Sequence, residues 1–396
     1  MSNPDPVVIV GMARTPMGGM MGDLAPVKAP DLGAVAIKGA LEGAGVTAGD
    51  VDETIMGCVL PAGQGQAPAR QAAKYAGVPD DVGALTVNKM CGSGMKAMML
   101  GHDSILAGTN DVVIAGGMES MTNAPYLLPK ARGGYRYGHD KVYDHMALDG
   151  LEDAYEPGRA MGTFAEETAR RYQFTREQQD AYAIESVKRA QRAIAEGGFD
   201  GEVVSVPVKT RKGEVVVDTD EQPGKARLDK IPQLRAAFAK DGTVTAATSS
   251  SISDGAAALI LMKRSEADKR GLKPIAEIKG HSTHAQEPEW FTTAPIGAIE
   301  KLLGRVGWSK DEVDLFEINE AFAVVPMAAM KELGLDHDKV NVNGGACALG
   351  HPIGASGARI SVTLLNALRK RGLKKGVASL CIGGGEATAV ALEMVD

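Results

Sequence analysis

Two cysteines stand beside glycines in this sequence, and each could perform sulfur chemistry on a carbonyl compound. Cys91 lies in KMCGSGMKA, where a predicted strand passes into a predicted helix. The dipole and free N–H groups of a helix N-terminus favour a thiolate, so we predict that Cys91 is a nucleophile rather than a buried structural cysteine. Cys381 precedes three glycines at the end of a predicted apolar strand, where free backbone N–H groups could stabilise an oxyanion. An inert strand-end cysteine is the alternative.

A histidine and an asparagine on other turns could complete such a site. His351 lies in NVNGGACALGHPIGASGAR, just before a predicted helix, and could act as a base toward a cysteine or as a donor to an oxyanion. Asn319, in EINEAFA after a predicted strand at 313–316, could hold a water or a carbonyl. The simpler alternatives are a capping or core histidine and an asparagine that caps a helix.

Cys347 and His351 have the C-x3-H spacing of a metal-ligand pair. No second Cys/His pair follows nearby to complete a tetrahedral set, so we predict no metal here and assign Cys347 to packing.

Composition excludes several classes of function. The net charge of -7 is spread over 396 residues without a basic stripe, so we predict no nucleic-acid partner. The sequence contains no run of about 18 apolar residues, and its start does not resemble a signal peptide, so we expect a soluble, cytoplasmic protein with no membrane partner. The four cysteines form no CxxC pair and are expected to be free thiols.

The chain contains an internal repeat. AIKGALEGAGVTAGDVD (36–52) and AIEKLLGRVGWSKDEVD (298–314) align without a gap, and VVIAGGMES (112–120) resembles SLCIGGGEA (379–387). Abundant glycine and few aromatic residues favour an α/β fold, so we predict two similar α/β units. A pseudo-twofold axis between them could bring the turns that carry the cysteines and the histidine face to face.

The segment between the repeats differs in character and is predicted to be an insertion. Thr175 and Gln178 fit a capping box at a helix start, and 203–208 with 214–217 fit a hairpin. We therefore predict three domains, which are an N-terminal core of residues 1–120 plus 249–272, an inserted loop domain of 121–248, and a C-terminal core of 273–396.

Several motifs in order resemble the thiolase family, the CoA-dependent acyltransferases that make or cleave 3-ketoacyl-CoA. The likeness runs nearly from end to end, through VVIVGMARTPMG, CGSGMKA, GGMESM, NEAFA, NGGACALGHPIGASGAR and CIGGGEA. It implies a duplicated five-layered α-β-α-β-α core with an inserted loop domain. It also implies a homotetramer and a role in fatty acid metabolism, including β-oxidation. CoA would be a substrate, and no cofactor would be bound permanently.

The resemblance also implies roles for individual residues. Cys91 is similar to the acylated nucleophile and Cys381 to the acid/base that moves the α-proton of the second acyl-CoA. His351 would activate Cys91 and donate to the enolate oxygen beside a water held by Asn319. The N–H groups of Cys91 and Gly383 would form the other oxyanion hole.

Contacts with CoA are implied for the insertion and its borders. Ser250 lies in a stretch similar to the pantetheine-contacting serine segment of the family, and Met161 lies in the MG-x-x-A-E segment. Lys225 or Arg227 is expected to replace the family's arginine near the adenine. Ala160 stands where short-chain members carry a histidine, from which we expect a larger or less polar acyl pocket.

Two other functions remain open from sequence. A decarboxylating 3-ketoacyl synthase would share the fold, but such enzymes pair their cysteine with two histidines or a histidine and an asparagine, and Cys381 argues against that class. A non-catalytic acyl-CoA-binding protein would not need Cys91, Asn319, His351 and Cys381 together.

Overall fold

The computed structural model describes residues 5–395, so the outermost ends of the predicted core domains, 1–4 and 396, lie outside the described residues. The strands are β1 Val7–Arg14, β2 Gly18–Gly19, β3 Glu53–Gly57, β4 Gly83–Val87, β5 Val112–Ser120, β6 Tyr126–Leu127, β7 Tyr143–Asp144, β8 Val206–Thr210, β9 Gly213–Val217, β10 Ser253–Lys263, β11 Ala276–Ala285, β12 Leu315–Ile318, β13 Lys375–Ile382 and β14 Glu386–Met394. The helices are α1 Ala29–Ala44, α2 Pro68–Tyr75, α3 Ser93–Leu106, α4 Gly162–Tyr172, α5 Arg176–Ala195, α6 Glu221–Lys225, α7 Arg264–Lys269, α8 Ala294–Val306, α9 Val324–Leu333, α10 Ala346–Leu349 and α11 Ser356–Arg371.

Ten strands form one hydrogen-bonded sheet with two similar halves. Its order is β12-β13-β14-β11-β1-β10-β5-β3-β4, with the short β2 paired to β10. The halves meet where β1 pairs with β11, through Val8 opposite Glu277 and Ile9 opposite Ala276. Within each half, the strands after the repeated helix run parallel to each other, β3 with β5 and β12 with β13.

The helices divide into three layers that enclose the two halves of the sheet. Helices α3 and α11 pack on each other, and their apolar side chains share one core with both halves. Helices α1 and α2 cover the outer face of the N-terminal half, and α8 and α9 cover that of the C-terminal half. This order of layers confirms the predicted duplicated five-layered α-β-α-β-α core.

Local geometry repeats between the halves. Helices α1 and α8 end at Gly45 and Gly307, whose φ angles are 69° and 70°, a left-handed conformation that glycine adopts without strain. A capping box follows each of these glycines, at Thr47 and at Ser309. The repeat found in the sequence is therefore also a repeat of backbone conformation.

Some predicted boundaries shift. The strand expected at 313–316 is Leu315–Ile318, and it ends immediately before Asn319. The predicted capping box at Thr175 opens α5, and the predicted hairpin is β8 with β9. Helix α5 packs against the short α10, so the segment between the repeats contacts the turn that carries Cys347.

Within the described part of the chain, no helix is both long and apolar enough to cross a membrane.

Candidate active site

The Cys91 turn connects β4 to α3 and contacts both halves of the molecule. A side chain on Gly92 would collide with Ile382, so this turn packs directly on the end of β13. Gly94 lies against the backbone of Gly354, in the loop that follows His351. Small residues at these contacts bring the Cys91 turn next to both the Cys381 strand and the histidine loop.

The backbone N–H groups of Gly383 and of Cys91 itself lie near the Cys91 sulfur and lower the pKa of its thiol. Burial nevertheless raises the pKa of Cys91 to about 11, because losing water disfavours the thiolate more than these N–H groups favour it. The negative charge of Glu119 acts in the same direction as burial. The N–H groups near the start of α3 favour the Cys91 thiolate as expected, but burial outweighs them, so the resting thiol is neutral.

Cys381 lies on β13, fully buried and next to Cys91. Burial raises the pKa of its thiol well above the ordinary value, and the neighbouring Cys91 raises it further. The backbone N–H of Gly383, two residues later, lies near the Cys91 sulfur, so the three residues share one small space. Because the pKa of each of the two thiols lies above its usual range, each needs a proton acceptor before it can act as a nucleophile or a base.

Hydrogen bonding fixes which ring nitrogen of His351 holds the proton. Its Nδ1 lies 2.5 Å from Ser356 Oγ, and that hydroxyl donates to the carbonyl oxygen of Pro352 at 3.0 Å. Because a hydroxyl has one proton, Ser356 Oγ accepts from Nδ1–H. Nε2 therefore keeps its lone pair, and it is buried without a hydrogen-bond partner among the described residues.

The His351 ring is also neutral. Burial, followed by the charge of Arg359, lowers the pKa of His351 to about 3. A neutral imidazole with a free Nε2 lone pair is the form that can take a proton from a thiol.

Asn319 completes this group of side chains. It follows β12, and its Nδ2 lies 3.5 Å from His351 Nδ1. Its Oδ1 is buried without a partner in the described chain, as is Nε2 of His351. Helix α9 starts only at Val324, so the alternative of a helix-capping asparagine is wrong. Unpartnered buried polar atoms in adjacent side chains are typical of a place where water or a substrate oxygen binds.

Glu119, at the end of β5, holds the loops around the cysteine together. Its carboxylate accepts N–H groups from Val59 at 2.9 Å, Leu60 at 3.1 Å and Gly354 at 2.9 Å. Burial raises the pKa of Glu119 to about 7. One side chain thus links the loop after β3 to the loop that follows His351.

The segment with Ser250 lies beside the Asn319 loop. The N–H of Ser250 donates to the carbonyl of Ala321, and the N–H of Ala323 donates to the carbonyl of Thr248. Ser250 therefore lies beside the loop that carries Asn319, through these backbone hydrogen bonds.

The other candidates for CoA contact divide into two groups. Met161 lies close to the glycine turn that follows Cys381, since a side chain on Gly383 would stand 3.3 Å from its methyl group. Lys225 and Arg227 are exposed, and they pair with Glu221 and Asp229 respectively. Ala160 precedes Met161, and its carbonyl accepts the Thr163 hydroxyl at 2.8 Å, so its backbone position is fixed.

Cys347 contacts Glu320, the residue that follows Asn319. Its N–H donates to Glu320 at 3.0 Å and its sulfur lies 3.7 Å from the Glu320 carbonyl. Burial raises the pKa of Cys347, and Glu320 raises it further, so the thiol is neutral and packed.

Family models match almost the whole chain. Residues 7–265 match the thiolase N-terminal domain and residues 272–394 match the thiolase C-terminal domain. The chain belongs to the thiolase family.

Relatives and solved structures agree with this assignment. The thiolase is 52% identical to acetyl-CoA acetyltransferase 2 of Arabidopsis thaliana, over 99% of this chain and 98% of that protein. It is 50% identical to an acetyl-CoA acetyltransferase of Cupriavidus necator, over 98% of this chain and 99% of that one. The structure of the Bacillus anthracis acetyl-CoA acetyltransferase superposes with a TM-score of 0.96 at 42% identity, covering 99% of both chains. A thiolase from Ascaris suum, solved in complex with coenzyme A, superposes with a TM-score of 0.93 at 44% identity, over 98% of this chain and all of that one.

Sequence reasoning missed two residues of this site. Ser356 fixes the His351 tautomer, and Glu119 joins the loop after β3 to the loop that follows His351. The signal for Glu119 was an acidic residue at the end of an otherwise apolar strand, VVIAGGMES. Ser356 gave no distinct signal, because a serine at the start of a helix is common.

Proposed function

We propose that this thiolase catalyses the reversible transfer of an acetyl group between CoA thioesters through an acyl-Cys91 intermediate. In one direction it condenses an acyl-CoA with acetyl-CoA, and in the other it cleaves 3-ketoacyl-CoA with CoA. The observation that carries this proposal is that the Gly383 backbone N–H and Cys381 both lie near the Cys91 sulfur, since the N–H lowers the pKa of Cys91 and Cys91 raises the pKa of Cys381. It brings a nucleophile, the strand of a second thiol and an oxyanion donor into one space.

The first half-reaction forms the acyl-enzyme. His351 Nε2 takes the Cys91 proton, and the sulfur attacks the thioester carbonyl. The N–H groups of Cys91 and Gly383 stabilise the oxyanion. The C–S bond to CoA breaks, and Cys381 donates its proton to the departing thiolate. This leaves an acylated Cys91, a Cys381 thiolate and a protonated His351, so each charge has a partner of opposite sign.

The second half-reaction returns every proton. The Cys381 thiolate removes the α-proton of acetyl-CoA, and protonated His351 donates to the enolate oxygen, with a water on Asn319 as a second donor. The enolate carbon attacks the acyl carbon, and the Cys91 sulfur leaves and takes its proton back from His351. Preorganised donors matter because the α-proton of a thioester is only weakly acidic.

Two observations support acetyl transfer over the two alternatives. Cys381 supplies a second thiol where a decarboxylating synthase needs another His or Asn. The relatives from Arabidopsis thaliana and Cupriavidus necator are named acetyl-CoA acetyltransferases, which supports catalysis over acyl-CoA binding alone. We further propose that Ser250 and Met161 contact the pantetheine and acyl portions of the substrate, and that Lys225 or Arg227 lies near the adenine.

We also propose a homotetramer. Strand β4 ends the sheet with one unpaired edge, and the segment around β6 and β7 exposes apolar side chains such as Tyr126, Leu128 and Tyr137. Unpaired edges and exposed apolar patches are features that subunit contacts cover. The chain is proposed to divide into cores of 1–120 plus 249–272 and 273–396 with the CoA-binding insertion 121–248. It is proposed to act in the cytoplasm in fatty acid metabolism, including β-oxidation.

Thiolysis of a chain-length series of 3-ketoacyl-CoA esters tests the proposal. The wild type should release acetyl-CoA, whereas Cys91→Ser and Cys381→Ser should not do so at a comparable rate. Binding of the esters without acetyl-CoA release by the folded wild type would favour the acyl-CoA-binding alternative. Decarboxylation of malonyl-CoA in place of α-proton removal would favour the synthase.

A further inference from the structure

Two histidines and an aspartate lie close together where the end of α3 contacts β11. His102 and Asp103 lie near the end of α3, and His281 lies on β11. Asp103 Oδ1 is 3.0 Å from His102 Nδ1 and 2.9 Å from His281 Nε2. The histidine rings meet edge to face, with centroids 5.1 Å apart. Their side chains are 12% and 14% exposed, whereas Asp103 is 54% exposed.

We propose that His102, Asp103 and His281 form a binding site for a divalent transition metal of the Zn²⁺ type. One donor atom from each lies within 4.8 Å of the other two. Two imidazole nitrogens and a carboxylate oxygen are a ligand set that Zn²⁺ accepts, while Mg²⁺ and Ca²⁺ prefer oxygen alone. Within residues 5–395, these three side chains are the group of His, Cys, Asp or Glu residues whose donor atoms lie close enough together to bind one metal ion.

The geometry requires little rearrangement. Zn²⁺ with bonds of about 2.0–2.1 Å in a tetrahedron separates its ligand atoms by roughly 3.3 Å. The two N···O separations, 3.0 and 2.9 Å, need to widen by a few tenths of an ångström, and the two nitrogens, which lie within 4.8 Å of each other, need to reach the same spacing. A carboxylate oxygen can only accept hydrogen bonds, so both nitrogens that face it now carry protons. Metal binding requires each of these two nitrogens to give up its proton, because the metal takes the nitrogen lone pair.

Charge and accessibility set limits on the site. Burial lowers the pKa of His281, which favours the neutral ring that a metal needs, and Asp103 acts in the opposite direction. Lys96 and Arg305 are nearby cations, and Arg305 donates to the His281 carbonyl at 2.6 Å. They weaken the attraction for a divalent ion, while the exposed Asp103 leaves an entry path and open coordination positions for water.

The site is separate from the acyl-transfer chemistry. Nine residues separate Ser93, at the start of α3, from His102, which corresponds to roughly 14 Å along a helix. The metal would join α3 to β11, the strand through which the C-terminal half of the sheet meets the N-terminal half. Its role would therefore be to stabilise the central layer behind the Cys91 turn.

The test uses the metal-stripped, full-length Cys91→Ser/Cys381→Ser chain, in which catalytic thiols cannot bind the metal. We expect this parent to bind a single Zn²⁺ per chain by calorimetry, and to give a Co²⁺ absorption spectrum without thiolate-to-cobalt charge transfer. His281→Ala and Asp103→Asn should each weaken Zn²⁺ binding by at least about 100-fold, since even loss of an outer-shell partner weakens metal binding 10- to 100-fold. His139→Ala, which removes an exposed loop histidine, is the matched control and should change nothing.

Circular dichroism establishes that each variant is folded, and Asp103→Asn alone decides the matter if His281→Ala does not fold. Absence of stoichiometric binding by the folded parent overturns the proposal. Unchanged affinity in the folded variants, or a thiolate-to-cobalt band that assigns the metal to Cys58 or Cys347, overturns it as well.

Discussion

Replacing Ser356 with alanine tests the inference that a single hydroxyl sets the tautomer of His351. Ser356 Oγ accepts from Nδ1–H at 2.5 Å, and the other polar neighbour of Nδ1, Asn319 Nδ2 at 3.5 Å, is a donor. Without the hydroxyl, the Nδ1–H tautomer has a buried, unpaired N–H. The other tautomer can accept from Asn319, but it turns its lone pair away from the substrate side of the ring.

The magnitude follows from that lost partner. An unpaired buried donor costs about 1–3 kcal/mol, so the productive tautomer should be depleted, and kcat for thiolysis lowered, roughly 5- to 150-fold. KM for the substrates should change little, because Ser356 is fully buried and does not face CoA in the geometry proposed. The assay is the loss of acetoacetyl-CoA enolate absorbance, together with a single-turnover measurement of Cys91 acetylation.

Ser361→Ala is the matched control. Ser361 is buried on the same helix, and its hydroxyl donates to the Gly357 carbonyl rather than to a catalytic group. The Ser361→Ala variant should keep kcat near that of the wild type, although it loses about as much side-chain packing as Ser356→Ala does. Wild-type kcat in folded Ser356→Ala, or an equal loss in Ser361→Ala, would refute the tautomer argument.

Three further outcomes follow from the site. Cys381→Ser should still take up acetyl on Cys91 but lose condensation by at least about 100-fold, checked by acetyl-CoA α-proton exchange in deuterated water; exchange at the wild-type rate would contradict the base assignment. Burial raises the pKa of Cys91 to about 11, so its thiolate fraction keeps increasing as the solution becomes more alkaline. Alkylation of Cys91 by iodoacetamide should therefore rise with pH without a plateau near neutrality. A plateau at pH 7 would contradict a neutral resting thiol. Ala160→His should lower kcat/KM for an eight-carbon 3-ketoacyl-CoA relative to acetoacetyl-CoA. Ala131→His, on an exposed surface turn, is the control. An unchanged ratio of the two kcat/KM values, or a strong preference of the wild type for acetoacetyl-CoA, would contradict an enlarged acyl pocket.

The duplication could be predicted because it depends on residue types and on short-range hydrogen bonds. Asp52 and Asp314 align in the sequence repeat, and each accepts two backbone N–H groups at the start of the next central strand, from 111–112 and from 374–375. Such short-range bonds depend on residue type and spacing, which a sequence displays directly. The order of layers was implied by the resemblance to the thiolase family.

Burial and through-space partners were not predictable in the same way. The helix N-terminus suggested a thiolate at Cys91, but desolvation outweighs the favourable N–H groups, and the depth of a side chain is set by the whole fold. The hydrogen bond between His351 and Ser356 depends on the ring orientation. The meeting of His281 with Asp103 joins residues 178 positions apart, and no spacing rule indicates it.

Mass spectrometry of the chain after incubation with acetyl-CoA tests the central claim most directly. Four free thiols compete for the label, namely Cys58, Cys91, Cys347 and Cys381. We predict a single acetyl group per chain, on the peptide that contains Cys91, and its complete loss when CoA is added. Acetylation on another cysteine, or a label on Cys91 that CoA does not remove, would contradict transfer through an acyl-Cys91 intermediate.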